Sequence, residues 1–329
     1  MNRNLASLFL LAGCACAPSY GQIATLTREQ MIKFTETNPY DRFPDGRPKV
    51  PDELLKKAEG LSAEEVWAVL PGITVPAAGA PAAGGRGGGG GRGGGGGRGA
   101  GFTNQYEGNF QVLHPERKLI GRAVTAQFMP YRPDVASVNE ADARAKGLPA
   151  NNNQRVIDML QPGDVLVVDL YGKVEGGTLV GDNLAYYIYQ NTKAGFVVDG
   201  AIRDLDGIFP LPMGAYYRGV HPTPISNTML TGINVPIRIG NATVMPGDVV
   251  FGDREGIYFI PPVAIKPILD RADETHIHDE WTQEMFKNNV GKYKSSDIYG
   301  SPRDPKLREE YQQYLKKKLE ELHASEGRK

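Results

Sequence analysis

The 329 residues carry 37 basic and 38 acidic side chains, a formal charge of −1, with 40% hydrophobic and 23% charged residues. That is the balance of a soluble globular chain, and it lacks the global basic field that non-specific nucleic-acid binding needs. Both cysteines, Cys14 and Cys16, fall near the N-terminus, so the remainder has neither a disulfide framework nor a cysteine-based zinc site; beyond the leader no uncharged apolar run reaches the ~20 residues of a membrane span.

Residues 1–22 read as an export signal, with Arg3, an apolar run from Leu5 to Cys16, and small residues up to Gly21. Leu11-Ala12-Gly13-Cys14 resembles a lipobox, whose cysteine is acylated; the competing cut follows Gly21. The expected location is the periplasm or the extracellular space, with any membrane attachment through a lipid on Cys14. Residues 23–76 are expected to form a helical segment in two pieces. One opens at Thr27-Arg28-Glu29-Gln30 and the other follows Pro51, where Ser62-Ala63-Glu64-Glu65 forms a capping box.

Residues 77–105 form a Gly/Arg-rich insertion whose composition cannot offset its ordering entropy by burying apolar area. Disorder is expected there. Arg86, Arg92 and Arg98 are spaced as in RNA-binding Gly-Arg segments, but no aromatic side chain lies between Ala77 and Gly101, and export separates the tract from RNA. A flexible surface insertion, with no nucleic-acid partner, is the reading adopted.

Residues 106–263 are dense in strand signals: Leu119 to Phe128, Val165 to Asp169, Phe196 to Asp199, Ala215 to Val220, Val235 to Ile239, Val249 to Phe251 and Ile257 to Ile260. Helices are expected at Val135 to Lys146, Asn153 to Leu160 and Asn183 to Thr192, and a hairpin at Ile237 to Val244 turning at Gly240-Asn241. Helix-linked strands beside hairpins predict a mixed α/β core. Residues 264–329 form a helical extension in which Leu307 to Leu322 is amphipathic, with Tyr311, Tyr314, Leu315, Leu319 and Leu322 on one side. His276 and His278, two residues apart on a helix, face apart and are assigned to a solvated face. His221 is read as structural, and Tyr186, Tyr187 and Tyr189 as core and interface packing.

Chemistry concentrates in Gln161 to Asp169, Gly181-Asp182-Asn183-Leu184 and Gly195 to Asp204: strand, glycine-rich loop, helix, strand, then Arg203-Asp204 at the strand exit. Free N–H groups at the start of the Asn183 helix favour a carboxylate or phosphate. A parallel βαβ connection would bring Arg203 and Asp204 to the same edge. The carboxylate could hold a hard cation such as Mg²⁺, and the guanidinium could clamp an oxyanion; a surface Arg-Asp ion pair is the competing reading.

Leu119-Ile120-Gly121-Arg122-Ala123-Val124-Thr125, Pro162 to Asp169, Asp199 to Asp204, Pro246-Gly247-Asp248-Val249-Val250 and Asp253-Arg254-Glu255-Gly256-Ile257 together resemble the RraA-like family, which includes 4-hydroxy-4-methyl-2-oxoglutarate aldolases with oxaloacetate decarboxylase activity. Asp182 and Arg203-Asp204 reproduce the spacing of its enzyme members; members that inhibit ribonuclease E lack the aspartate of the Arg-Asp pair. The resemblance implies an α/β fold with a swivelling β/β/α-type core and mixed sheets, carrying helical N- and C-terminal extensions. It implies a carbon–carbon lyase acting on a 4-hydroxy-2-oxo acid or oxaloacetate with Mg²⁺ or Mn²⁺, and a homotrimer. On it, Asp204 ligates the metal, with Glu255 of a neighbouring subunit, or alternatively Asp253, completing the shell. Arg203 and Asp182 are catalytic, and Gly181, Asp182, Asn183, Leu184 and Arg203 bind substrate. The competing class is a non-enzymatic exported scaffold on the same fold.

Overall fold

The computed structural model describes residues 23–75 and 100–325. The export signal with Cys14 and the body of the glycine tract therefore lie outside the described residues. The N-terminal extension forms three short helices, α1 (Arg28–Phe34), α2 (Asp52–Ala58) and α3 (Ala63–Val69). That is one more than expected, because the stretch after Pro51 breaks at Glu59-Gly60-Leu61 before a new cap. Both anticipated capping boxes form: Thr27 Oγ1 accepts the Gln30 N–H at 3.2 Å and Ser62 Oγ the Glu65 N–H at 3.4 Å, and the Gln30 and Glu65 side chains return to the cap N–H groups. Strands β1 (Thr74–Val75) and β2 (Ala100–Gly101) pair antiparallel, so the chain departs for the glycine tract and comes back at one place.

The core follows as β3 (Tyr106–Glu107), β4 (Gln111–Val112), β5 (Leu119–Pro130), α4 (Pro133–Ala145), α5 (Asn152–Ile157), β6 (Asp164–Val180), α6 (Asp182–Thr192), β7 (Gly195–Ile202), α7 (Leu205–Ile208), β8 (Gly214–Val220), β9 (Thr228–Ile233), the hairpin β10 (Ile237–Ile239) and β11 (Ala242–Val244), β12 (Val249–Gly252) and β13 (Ile257–Ile260). Among the described residues one sheet runs β3-β13-β12-β5-β6-β7-β8-β4, with β9 also pairing β5. Neighbours from β5 to β8 are parallel and the remaining pairs antiparallel, so the architecture is the expected mixed α/β. Strand β9 was not foreseen, and β6 runs on to Val180 through what the sequence presented as a glycine-rich loop. Gly172 and Gly176, at φ +72° and +65°, take the left-handed turns where its register against β7 shifts.

From Asp164 to Leu170 β6 is buried on both faces, as a central parallel strand must be. Leu166 and Val168 pack with Val156, Ile188 and Phe196 under the helices; Val165 and Val167 pack with Ile237, Ile239 and Val244 of the hairpin. Helices α2 and α3 join α8 (Pro262–Asn288) over Val249, Phe251 and Ile260, so the two extensions form one layer. Beyond it α9 (Ser295–Ile298) and α10 (Pro305–Ser325) close around Trp281, Ile298, Leu307 and Tyr311. His276 of α8 stays on a solvated face, its side chain 53% exposed with Nε2 2.6 Å from Oε1 of buried Glu65, whereas His278 is half-buried and meets the Tyr311 ring of α10 edge-on, which corrects the sequence reading for that residue.

Two Pro-Gly-Asp turns launch β6 and β12. Gly163 and Gly247 take φ +79° and +88°, and the following aspartates accept from the turn: Asp164 Oδ2 from the Gln161 N–H at 3.0 Å, Asp248 Oδ2 from the Met245 N–H at 2.8 Å. Residues 47–52 cross both turns as a strap. Arg47 forks onto Asp164 at 2.7 and 3.2 Å, and Arg122 Nε donates to the Val50 carbonyl at 2.7 Å. Pro48 lies so close to Gly247 that a Cβ there would stand 2.7 Å from its Cδ. Asp164 thus has its cation. Asp248 has no ion-pair partner among the described residues, and burial raises its pKa to about 7.

Candidate active site

The parallel pairing of β6 and β7 sets Ile202 beside Val180, and the Arg203 N–H donates to the Val180 carbonyl at 3.1 Å. The exit of β7 therefore lies against Gly181, the N-cap of α6. A Cβ on Gly181 would stand 2.3 Å from Asp204 Oδ2 and 3.1 Å from Arg203 Nε. Its φ of −109° is ordinary, so glycine is required here by close approach and not by backbone conformation. Asp204 sits in the left-handed region at φ +58°, a sparsely populated conformation for a non-glycine residue. Its carbonyl accepts the Gly207 and Ile208 N–H groups at 3.0 and 3.1 Å, while its carboxylate makes no capping bond. That carboxylate instead meets Arg203 Nε at 3.2 Å.

Asp182 approaches from the other helix. Its Oδ1 accepts the Asn183 N–H at 2.7 Å and Asn183 Nδ2 at 3.1 Å, and a Cβ on Gly207 would stand 2.6 Å from the Asp182 Cβ. Gly181 thus makes room for the Arg203–Asp204 pair and Gly207 for Asp182, and the pair stands against the start of α6, whose first residue is Asp182. One expectation is corrected. Of the N–H groups from Gly181 to Leu184 assigned to a substrate carboxylate, that of Asn183 already serves Asp182.

Glu255 lies elsewhere in the chain. It occupies the turn between β12 and β13, whose Gly252 pairs with Leu119 at the start of β5, the opposite edge of the sheet from the exit of β7. Its carbonyl accepts the Tyr106 hydroxyl at 2.6 Å, and Asp253 Oδ2 accepts the Ala63 N–H at 3.1 Å. Within one chain neither residue joins the Arg203–Asp204 group. Among the described residues no cluster of three or more His, Cys, Asp or Glu is placed to hold a metal. Two half-exposed carboxylates match a hard cation that keeps most of its water, and not zinc in a closed site.

A cleft of about 390 Å³ opens beside Gly181, Leu184 and Arg203. Asp182 and Asp204 lie outside its lining. Sequence reasoning missed its far wall, the turn from Ala150 to Gln154, although three consecutive asparagines before a helix were a legible signal. Buried Arg155 holds that turn. Nε donates to the Pro149 carbonyl at 2.8 Å, Nη1 to Asn152 Oδ1 at 2.7 Å, and Nη2 to Glu140 Oε2 at 2.8 Å and the Ala150 carbonyl at 3.2 Å. Asn153 Nδ2 ties it to the Leu179 carbonyl at 2.7 Å. The remaining wall is the 221–226 loop, where the His221 carbonyl accepts the Thr178 hydroxyl at 3.0 Å and the Gly176 carbonyl accepts the Ser226 N–H at 2.8 Å. Asp169 of the strand motif is structural: Oδ1 accepts the Tyr171 N–H at 3.0 Å, and burial, with Asp199 beside it, raises its pKa.

Residues 98–259 match the family described as RraA-like, Aldolase/RraA. A Halalkalibacterium halodurans protein named "Putative 4-hydroxy-4-methyl-2-oxoglutarate aldolase" is 31% identical over 164 residues, 47% of this chain and 78% of that protein. The chain belongs to the RraA-like family. Other relatives differ in name: Protein DlpA of Legionella pneumophila is 26% identical over 164 residues, 50% of this chain and 25% of that one. Among solved structures, Streptomyces coelicolor RraAS2, described as an unusual member of the RNase ES inhibitor RraA protein family, aligns with a TM-score of 0.55 at 26% identity, covering 72% of this chain and 99% of that one. RraA-like proteins thus carry both lyase and ribonuclease-inhibitor names, and the chemistry of this chain rests on its own residues.

Proposed function

We propose that this RraA-like protein is a divalent-metal-dependent carbon–carbon lyase that releases pyruvate from a 4-hydroxy-2-oxo acid, or from oxaloacetate by decarboxylation. The observation that carries the reading is the Arg203–Asp204 pair pressed against Gly181 at the start of α6, with Asp182 beside it and a cleft alongside. A surface ion pair would require neither Gly181 nor the left-handed backbone of Asp204.

Asp204 is the residue of this chain that would hold Mg²⁺ or Mn²⁺, which would supply Lewis-acid polarisation of the substrate keto group. Arg203 offers a fixed positive charge where the 2-oxo group becomes an enolate, the place at which preorganised electrostatics contributes most. In the aldol cleavage the C3–C4 bond breaks, its electron pair forms the pyruvate enolate, and the 4-hydroxyl loses its proton as C4 becomes a carbonyl. Asp182, directly or through a water it orients, takes that proton, and a proton returned to C3 completes pyruvate. In the decarboxylation the bond to the departing carboxylate supplies the same electron pair. No Schiff-base lysine is required. The assembly proposed is a homotrimer in which Glu255 of a neighbouring copy completes the metal shell; Tyr186 and Tyr187, 55% and 43% exposed on α6, fit packing against another copy. The compartment proposed is outside the cytoplasm.

The test is Mg²⁺-stimulated pyruvate release by the purified mature chain and by Asp204→Ala. The variant should keep its melting temperature and lose essentially all turnover. Wild-type turnover in Asp204→Ala would reject the reading.

A further inference from the structure

A second cleft, of about 540 Å³, opens where both extensions meet the core, and none of its lining residues borders the Arg203 cleft or belongs to the proposed lyase site. Much of its wall comes from the stretch Lys33 to Asn38, from Val75 of β1 and from Pro261-Pro262 at the start of α8, all outside the residues 98–259 that match the family. Asp248 and Pro261 flank the open end of the β12–β13 hairpin, whereas Glu255 lies in its turn, so a neighbouring copy reached by Glu255 sits at the other end. The size suits a small organic molecule.

Two acceptors without donors stand in this largely apolar lining. Asp248 is 3% exposed; its Oδ2 takes the Met245 N–H at 2.8 Å, and its Oδ1 has no hydrogen-bond partner among the described residues. Gln105 directs Nε2 to the Thr243 and Phe259 carbonyls at 3.1 and 2.9 Å, which engages both its hydrogens and leaves Oε1 as the second acceptor. The other charged residues of the lining, Lys33 and Glu36, are exposed and opposite in sign, and Arg47 of the adjoining strap is held by Asp164. A buried carboxylate costs least when a cation meets it, and charge-assisted bonds are roughly twice as strong as neutral ones. The missing partner is therefore a positively charged group rich in N–H donors, carried on a hydrocarbon body.

We propose that this cleft binds an organic primary amine, its ammonium on Asp248 Oδ1 and Gln105 Oε1 and its apolar body against Phe34, Phe102, Met245 and Pro262. Burial holds the Asp248 pKa at about 7, so the incoming ammonium binds the ionised form and displaces a proton from the fraction that carries one.

The test is calorimetric titration of the full mature chain with 2-phenylethylamine and with its uncharged counterpart, 2-phenylethanol. At pH 8 the amine should bind once per chain, about tenfold or more tighter than the alcohol. Asp248→Asn, which can still accept from Met245, should lose about tenfold or more in amine affinity while its affinity for the alcohol stays the same. At pH 7, titrations in buffers of different ionisation enthalpy should show about half a proton released per amine bound by wild type and none by the variant. No amine binding, equal affinity for the alcohol, or undiminished amine affinity in Asp248→Asn overturns the proposal. Should that variant fail to fold, proton release by wild type decides: its absence at pH 7 overturns the role of Asp248.

Discussion

Replacing Gly181 with alanine probes the site without touching a charged group. The added Cβ would stand 2.3 Å from Asp204 Oδ2, against an ordinary contact of 3.4 Å or more, so the carboxylate has to retreat by about 1 Å. The backbone offers no resistance, since φ −109° suits alanine, and residues at N-cap positions influence helix stability by about 1 kcal/mol. A displacement of about 1 Å at a reacting centre costs on the order of a hundredfold in rate. Gly181→Ala should therefore lose roughly two orders of magnitude in kcat/KM for pyruvate release while its thermal midpoint moves by a few degrees at most. Mg²⁺-dependent binding of oxalate, followed by calorimetry, should weaken in parallel. Full activity in Gly181→Ala, with the fold intact, would show that the closeness of Asp204 to the start of α6 has no chemical role.

Two further outcomes concern stability. Asp248 has a folded pKa of about 7 against an unfolded value of 3.8, so the folded state holds the extra proton and stability falls as pH rises from about 4 to 7. Asp248→Asn, still able to accept from Met245, should unfold later than wild type at pH 8 by up to roughly 4 kcal/mol, with the difference vanishing near pH 4 in urea titrations. A pH-independent difference would contradict the assignment. Arg47→Ala leaves the Asp164 carboxylate buried without its cation and should cost about 3 to 5 kcal/mol in chemical denaturation, far more than truncation of an exposed arginine such as Arg132.

Much of the arrangement was legible because period and punctuation agree. The apolar run after Asp164 is a central strand, Thr27-Gln30 and Ser62-Glu65 cap helices, and Gly240 turns a hairpin at φ +57°. What escaped depends on distant partners. Thr228–Ile233 has a glycine and alternating polarity too weak to announce a strand, and becomes one by pairing with β5. Gly172 and Gly176 signal a loop locally, yet β7 holds the segment as a bulged strand. At the site, Arg203, Asp204 and Asp182 could be placed together because a parallel βαβ unit fixes where strand exits and helix starts meet. The asparagine run was visible as a signal, but its place beside the site was not, since that follows from the Arg155 hydrogen bonds across α4 and α5.

The short ladder between Thr74–Val75 and Ala100–Gly101 means that whatever the sequence places between them is anchored at neighbouring points on the molecule. Closure entropy grows only logarithmically with span, about 0.6 kcal/mol per doubling, so natural or engineered changes in tract length would barely register in the folding equilibrium. Evolution is therefore free to expand, shrink or rewrite the sequence between those two anchors, and the folded scaffold need not co-adapt.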